Sequence, residues 1–418
     1  MAQKIVVAGC GFAGMWSAIG AKRLISSNLK KGGPEVEVVV IAPEAKLVIR
    51  PRLYEANPAS MSAPLEDLFR ATGIQFVKGT IKSILPADHE VMYVDPVGTS
   101  TALSYDRLIL AAGSHLQRPN IPGINEFTFD IDQIEAASKL EAHLKNLSSI
   151  NPSEARNTVV VCGGGFTGIE LATELPERLR AILGQDTNVR IILVEREDSI
   201  GPDLGPNPRP VIAQALKDLG VETKLGVAVT AIDAGGVVLA TGERIEALTA
   251  VWTAGMVANQ LNTQVPGQKD KFGRLHVDDY LRTLSVKDIF ATGDAALAAT
   301  DDKGNFAMMS CQHAMPMGIS AGHNSAADLL GVGKIAYRQP VYGTCLDLGS
   351  FGAVVCEGWD RKVAKTGAQA KPIKQYINST LIYPPKADPV EAFARADPAN
   401  SLADIEILEQ VSALLGET

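Results

Sequence analysis

The chain has 418 residues, of which 46% are hydrophobic and 21% are charged, and its formal net charge is -8. This length predicts roughly two to three domains of ~150 residues each. The composition is typical of packed globular domains and excludes a chain that is disordered throughout. The negative charge, together with a sequence that has no basic cluster, argues against nucleic acid as a partner.

Cysteine usage and apolar runs bear on the cellular compartment. The five cysteines are scattered, and none belongs to a CxxC or CxxxxC motif, so the sequence signals neither a metal site nor a redox-active disulfide. The first residues run directly into an apolar strand at 5–8, which is unlike a signal peptide. No run of ~18 apolar residues that could span a bilayer occurs in the sequence. We therefore expect a cytoplasmic protein.

An internal repeat organises the first half of the chain. Residues 4–14 read KIVVAGCGFAG, and residues 158–168 read TVVVCGGGFTG. In each copy an apolar run leads into a Gly-x-Gly-Phe-x-Gly turn, then into a stretch of helical character and a further strand, at 36–42 and 189–195. This β-α-β order, given twice, predicts two Rossmann-like dinucleotide-binding folds.

The glycines of each turn have separate tasks. The first makes the tight turn, the second lets a pyrophosphate approach the backbone, and the third lets the helix lie close to the strand. The helix N-terminus then offers free N–H groups to the phosphates. One such motif is a weak signal, but two, each between a strand and a helix, are a strong one. The cofactor-binding residues predicted here are Gly9, Gly11, Phe12, Ala13, Gly14, Gly163, Gly165, Phe166, Thr167 and Gly168.

The ends of the second strands distinguish the two sites. In the second copy the strand ends in Glu195, which is placed to bind the ribose hydroxyls of NADH and to repel the 2′-phosphate of NADPH. The adjacent Arg196 keeps NADPH open as an alternative. In the first copy the equivalent residue is Ala42, so Glu44 is the candidate to replace the missing carboxylate. Otherwise this site holds its adenosine less tightly.

Three further segments follow this pattern of strands and turns: YDRLILAAGS at 105–114, which ends on small residues, AVWTAGM at 250–256, and DIFATGDAA at 288–296, a strand with a glycine turn. The stretch RPNIPGIN at 118–125, which is rich in Pro, Gly and Asn, predicts a crossing between domains. After residue 335 the chain has strand-like runs and a Pro-rich stretch before a short acidic helix.

The two folds and these segments, in this order, resemble the flavin- and nicotinamide-dependent pyridine nucleotide reductases. Among them, the type II NADH dehydrogenases and the apoptosis-inducing-factor-like oxidoreductases are the most similar. The resemblance covers about residues 4–355 and implies an α/β fold. It implies an FAD-binding domain at 1–125 and 280–335, an NAD(P)H-binding domain at 126–279 and a C-terminal α+β domain at 336–418. The implied cofactors are FAD and NADH, with NADPH left open.

The resemblance also implies roles for single residues. Asp294 would bind the ribityl–phosphate portion of the flavin, while Arg50 and Pro51 would approach the isoalloxazine ring. Glu170 would face the nicotinamide and bind the cofactor or assist proton delivery. Alternatively, Glu170 is a glutamate of the helix start, favoured there by the helix dipole. The other cofactor-binding residues predicted in this way are Ala112, Gly113, Gly255 and Gly293.

One departure from the family pattern concerns the electron acceptor. Membrane enzymes of the family carry Ala-Gln-x-x-x-Gln at a quinone tunnel, whereas CQHAMPMG keeps Gln312 but has Pro316 at the second position. His313 is a candidate proton donor or else a packing residue. Met315 and Met317 offer flexible apolar surface instead. We therefore expect a small quinone-like acceptor and weak use of long-chain ubiquinone.

A second departure concerns the C-terminus. The tail SLADIEILEQVSALLGET has four acidic residues and no Lys or Arg, which argues against a stable membrane anchor. Its apolar residues are predicted to pack against the body of the protein or a partner subunit, so that a homodimer stays open: Leu402, Ile405, Leu408 and Leu414.

The sequence thus predicts an FAD-dependent NAD(P)H oxidoreductase that passes hydride from NADH through flavin to a small-molecule electron acceptor. Glu170, Gln312 and His313 are the candidate catalytic residues. Without a cysteine pair, a dithiol relay is excluded. Two alternatives remain: a reductase of a ferredoxin- or rubredoxin-type protein, and a sensor that binds FAD and NADH with little turnover.

Overall fold

The computed structural model describes residues 2–399, and its first large element is a parallel sheet of five strands. Valine and isoleucine fill the central strands, which is typical of a sheet covered on both faces, and residues 5–7 and 38–41 are buried. In order across this first sheet, the strands are Ile289–Ala291, Arg107–Leu110, Gln3–Ala8, Val36–Ala42 and Gln75–Lys78. The sheet therefore takes one strand from far along the chain.

The helix Phe12–Leu29, which follows the first glycine turn, packs against the long helix Cys311–Leu330. A Cβ at Gly318 would lie only 2.5 Å from the carbonyl oxygen of Ala13, so glycine is required for the two backbones to approach this closely. This contact places the start of the long helix beside the first glycine turn.

A second parallel sheet repeats the arrangement with four strands. In order across the sheet, they are Val221–Lys224, Arg190–Val194, Thr158–Cys162 and Thr249–Trp252. The helix Phe166–Leu183 follows the second glycine turn, and the helix Arg209–Asp218 precedes the outer strand. The two parallel sheets confirm the predicted α/β fold with two Rossmann-like units.

The internal repeat extends further than its sequence signal. In both copies the chain forms an antiparallel three-stranded sheet between the outer strand of the parallel sheet and a later strand of it. In the first copy these strands are Thr80–Leu85, Glu90–Val94 and Ser100–Ser104. In the second copy they are Val229–Asp233, Gly236–Leu239 and Arg244–Glu246.

The C-terminal part combines an antiparallel sheet with helices, as predicted. Its strands are Gly343–Asp347, Ala353–Glu357 and Lys362–Thr366, and its α-helices are Gly367–Tyr376 and Pro389–Arg395. Ala353, Val355, Ala370 and Ile373 form a small core between the sheet and the first of these helices. The predicted packing of Leu402, Ile405, Leu408 and Leu414 lies outside the described residues.

The remaining elements are short and connect these units. The helices are Glu66–Thr72, Ile124–Phe127, Ile134–Asn146 and Glu154–Asn157. The paired strands are Lys46–Val48 with Ser62–Pro64, Ser114–Leu116 with Met256–Ala258, and Leu275–His276 with Ala296–Leu297. Within residues 2–399, no helix combines the length and the apolar character that crossing a membrane requires.

Candidate functional site

One continuous cavity of about 2480 Å³ connects the two glycine turns with the C-terminal sheet. Its walls include the strand ends at Ala42, Glu195 and Trp252, the start of the helix Cys311–Leu330, and Lys374. Sites for a single small ligand enclose about 300–1,000 Å³. The cavity therefore has room for more than one cofactor.

The first glycine turn has the shape that a bound dinucleotide requires. Gly9 has a φ of +111°, and a Cβ there would lie 2.5 Å from the carbonyl oxygen of Ala111. A Cβ at Gly11, by contrast, would meet no described atom within 4 Å. No side chain of the described residues caps the helix that begins at Phe12. Its first N–H groups therefore lack a side-chain partner among these residues and fit the pyrophosphate of a dinucleotide.

The second glycine turn has the same shape and a carboxylate beside it. Gly163 has a φ of +125°, and a Cβ at Gly165 would again meet no described atom within 4 Å. The Oε2 of Glu195 accepts a hydrogen bond of 2.7 Å from the backbone N–H of Gly164, and its Oε1 accepts one of 2.9 Å from that of Glu197. The buried carboxylate is thus fixed where the ribose of a dinucleotide lies in this fold.

Arg196, the residue that left NADPH open as an alternative cofactor, has an exposed side chain, whereas Glu195 is buried. Its side chain is 78% exposed, and its Nε lies 3.2 Å from Oε1 of Glu197. The guanidinium therefore already has a carboxylate neighbour.

Glu44 lies in the cavity wall near Ala42, but its carboxylate pairs with the ammonium group of Lys46. The hydrogen bond from Lys46 holds the pKa of Glu44 below its usual value. Because the side chain is exposed, this pair can open without a large cost. The replacement of the ribose carboxylate by Glu44 stays a prediction.

Arg50 and Asp294 belong to one polar cluster at the end of the first sheet. Ser114 Oγ donates a hydrogen bond of 2.6 Å to Asp294 Oδ2 and accepts one of 3.1 Å from Arg50 Nη1. Arg50 also forms an ion pair with Asp132, whose backbone oxygen accepts a bond of 3.1 Å from Arg50 Nε. The segment that connects the two dinucleotide folds therefore orients Arg50.

Glu170 forms a buried ion pair across two parts of the chain. Its Oε1 lies 2.7 Å from Nζ of Lys374, both side chains are 5% exposed, and the backbone N–H of Asp347 donates a bond of 3.0 Å to the same oxygen. Burial raises the pKa of Glu170 to about 7, although Lys374 lowers it. Burial lowers the pKa of Lys374, but the pairing with Glu170 and other neighbours outweigh this effect and raise it. Glu170 can therefore change its protonation state near neutral pH.

The start of the helix Cys311–Leu330 forms another wall of the cavity. Gln312, Met315 and Pro316 line it, whereas Met317 is fully buried in the core, so only one of the two methionines offers surface to a ligand. The expectation for Met317 was wrong, because the helix turns this residue away from the cavity.

His313 is buried outside the cavity wall. Its Nδ1 lies 3.1 Å from Ser310 Oγ, its Nε2 has no partner among the described residues, and its ring packs against Tyr342 and Trp359. Burial lowers the pKa of His313 to about 3. The geometry favours the packing alternative, and the role of proton donor stays a prediction.

The other predicted residues that do not line the cavity are three glycines. A Cβ at Gly14 or at Gly168 would lie 2.1 Å or 1.8 Å from the carbonyl oxygen of the first glycine of the same turn. A Cβ at Gly293 would lie 2.7 Å from the Cβ of Ala13. These glycines act through close packing. The remaining predicted residues all line the cavity: Gly9, Gly11, Phe12, Ala13, Glu44, Arg50, Pro51, Ala112, Gly113, Gly163, Gly165, Phe166, Thr167, Glu170, Glu195, Gly255, Asp294 and Gln312.

The sequence pattern of the family described as pyridine nucleotide-disulphide oxidoreductase matches residues 3–318. The chain belongs to this family. It is therefore an oxidoreductase, and the predicted family resemblance is confirmed.

The chain is 45% identical over 384 residues to an NADH dehydrogenase-like protein of Mycobacterium tuberculosis, covering 91% of this chain and 94% of that protein. It is 25% identical over 399 residues to the type II NADH:quinone oxidoreductase of Staphylococcus haemolyticus, covering 91% and 95%. Its fold is similar to that of NDH2 from Plasmodium falciparum in complex with NADH, with a TM-score of 0.76 and 14% identity over 95% and 98% of the chains.

Lys374 is the main site residue that the sequence interpretation missed. It follows the spacing of Ala370, Ile373 and Ile377, so it lies on the apolar face of its helix. A lysine on such a face is costly unless it is paired, and this signal was available in the sequence. Its partner was not, because 204 positions separate Lys374 from Glu170.

Proposed function

We propose that the chain is an FAD-dependent NADH oxidoreductase that reduces a small quinone-like acceptor. The observation that carries this proposal is the single cavity onto which both glycine turns and the Glu170–Lys374 pair open. The first turn would hold FAD and the second NADH, with Glu195 on the adenosine ribose. The name of the Staphylococcus haemolyticus relative, an NADH:quinone oxidoreductase, supports the acceptor class.

When bound, FAD would supply the chemistry, taking hydride from NADH and returning two electrons to the acceptor. The overall balance is NADH, one proton and a quinone giving NAD⁺ and a hydroquinone. The acceptor therefore needs two protons in addition to two electrons. Glu170, with a pKa near neutrality and Lys374 beside it, is suited to hold and release one of them.

The polar cluster around Arg50 would act on the flavin side. Asp294 and Ser114 would bind the ribityl–phosphate portion of the flavin, and Asp132 would keep Arg50 in one orientation. The protein thus contributes positioning and charge.

The test is a spectrum of the purified protein, followed by anaerobic addition of NADH and then of 2-methyl-1,4-naphthoquinone. A flavin spectrum that NADH bleaches and the quinone restores is the expected result, with FAD released on denaturation. A protein that stays colourless after incubation with FAD would overturn the proposal.

A further inference from the structure

A cation lies in the cavity wall beyond the first glycine turn. Arg395, in the last turn of the helix Pro389–Arg395, lines the cavity, and its Cζ lies 5.3 Å from the centroid of the Trp16 ring. Trp16 also lines the cavity and is only 1% exposed. At 1.5 Å per residue, it lies about 6 Å along the helix axis from Phe12, so the cation is close to the first dinucleotide turn.

The guanidinium of Arg395 has no ion pair with any acidic side chain of residues 2–399. Its one hydrogen bond to a residue of the described range goes from Nη2 to the carbonyl oxygen of Leu381, at a long 3.4 Å. The nearby carboxylates are engaged elsewhere, Asp397 with Arg23 and Glu391 with Lys386.

Burial lowers the pKa of Arg395, since desolvation of the cation exceeds the effect of Glu391. Arg52 has the opposite behaviour, because its hydrogen bond to Glu55 raises its pKa above the usual range. The contrast identifies Arg395 as a partly buried cation that forms no ion pair with an acidic side chain of residues 2–399.

Apolar residues share the cavity wall with Arg395: Leu381, whose carbonyl oxygen Arg395 contacts, and also Ile382, Pro316 and Ile319. A cation in such surroundings costs free energy unless an anion joins it. The stacking on Trp16 offsets part of this cost, but a guanidinium offers five N–H donors, and this one uses one of them weakly.

We propose that the electron acceptor is an aromatic compound that carries an anionic group, such as a carboxylate or a sulfonate, which Arg395 binds while the apolar wall receives the ring. This inference rests on the proposed function and defines its substrate class. The anionic group takes no part in the electron transfer.

The test compares two acceptors of the same ring system, 1,4-naphthoquinone-2-sulfonate and neutral 2-methyl-1,4-naphthoquinone, reduced by NADH. Arg395→Met is expected to lower the ratio of their kcat/KM values, anionic over neutral, about tenfold, mainly through KM of the anionic acceptor. Arg395→Lys should lower it less. Comparing this ratio between the wild type and a variant cancels the different reduction potentials of the two quinones. The matched control is Arg70→Met, which removes an exposed arginine outside the cavity and should leave the ratio unchanged.

A binding measurement separates this inference from the proposed function. Naphthalene-2-carboxylate cannot accept electrons in this reaction. It should bind the wild type more tightly than Arg395→Met, with binding measured as quenching of tryptophan fluorescence. If neither quinone is reduced but this difference holds, the proposed function fails and the anion site stands. An unchanged ratio, or an equal loss with both quinones, would overturn the inference. So would binding of phosphatidylglycerol vesicles that Arg395→Met abolishes without changing the ratio, since Arg395 would then serve a lipid headgroup.

Discussion

Glu170 occupies the fifth position of the helix Phe166–Leu183, and the first turn of that helix has no acidic residue. The attraction of a carboxylate to the helix dipole fades beyond the first turn. The dipole therefore does not account for a glutamate that is buried against a lysine from the C-terminal helix. The position is better explained by a role at the cavity, where burial raises the pKa of Glu170 to about 7 although Lys374 lowers it.

We expect Glu170→Gln to slow reoxidation of the reduced enzyme by a quinone roughly 10- to 100-fold, the usual contribution of a general acid, while flavin reduction by NADH changes little. In the wild type, reoxidation should slow as the pH rises through about 7, because the raised pKa of Glu170 leaves less of the acid form above it. The variant should lose this dependence.

Stopped-flow absorbance measures both half-reactions. The control is Glu174→Gln, because Glu174 lies outside the cavity wall. Wild-type rates in both halves would return Glu170 to a packing role, and a slowed first half alone would make it a nicotinamide-positioning group.

Glu195 should make the protein prefer NADH to NADPH, because its fixed carboxylate would face the 2′-phosphate while Arg196 pairs with Glu197. Glu195→Gln keeps the shape and removes the charge, so the preference, measured as a ratio of kcat/KM values, should fall about tenfold. Glu222→Gln, on the exposed surface of the same sheet, is the control. A wild type that uses NADPH better would mean that a cation dominates this site.

At the scale of elements, the sequence predicts what local chemistry determines. The strand–turn–helix units at Gly9 and Gly163 were found because their glycine spacing is a local requirement of the ligand. The two antiparallel three-stranded sheets were missed because their strands have only three to six residues, and some, such as Ser100–Ser104, are mostly exposed and mix polar with apolar residues. The Glu170–Lys374 pair was missed because tertiary packing alone brings its partners together. The domain boundaries at residues 125, 279 and 335 stay a prediction.

Pro316 affects both its helix and the cavity. Proline has no N–H, so the carbonyl oxygen of Gln312 lacks its helical partner and instead accepts a bond of 3.3 Å from Gln339 Nε2. Pro316→Gln would restore the helical donor and place an amide in the cavity wall. We expect it to raise kcat/KM for long-chain ubiquinone several-fold relative to 2-methyl-1,4-naphthoquinone. The control is Pro316→Ala, which restores the N–H without the amide. If both variants behave alike, backbone geometry and not the missing amide limits the acceptor.

At the scale of the whole molecule, the candidate site belongs to no single unit. The two parallel sheets contribute the glycine turns, the long helix contributes Gln312 and Pro316, and the C-terminal part contributes Lys374 and Arg395. Since the cavity walls come from all parts of the described chain, the complete cavity forms only when these units have packed together. This dependence explains why sequence motifs located the two glycine turns and Gln312 but not Lys374 and Arg395.

The charge of the whole chain should keep it off anionic membranes. A net charge of -8 opposes approach to an anionic surface, and at physiological ionic strength this repulsion acts over about 8 Å, close to the surface where binding would begin. We therefore expect the purified protein to remain in the supernatant when phosphatidylglycerol vesicles are sedimented, at both low and high salt. Phosphatidylcholine vesicles are the control for apolar adsorption, which charge would not prevent. Binding to the anionic vesicles that disappears on adding salt would mean that a local basic surface outweighs the net charge, and the protein would then meet its acceptor at the membrane.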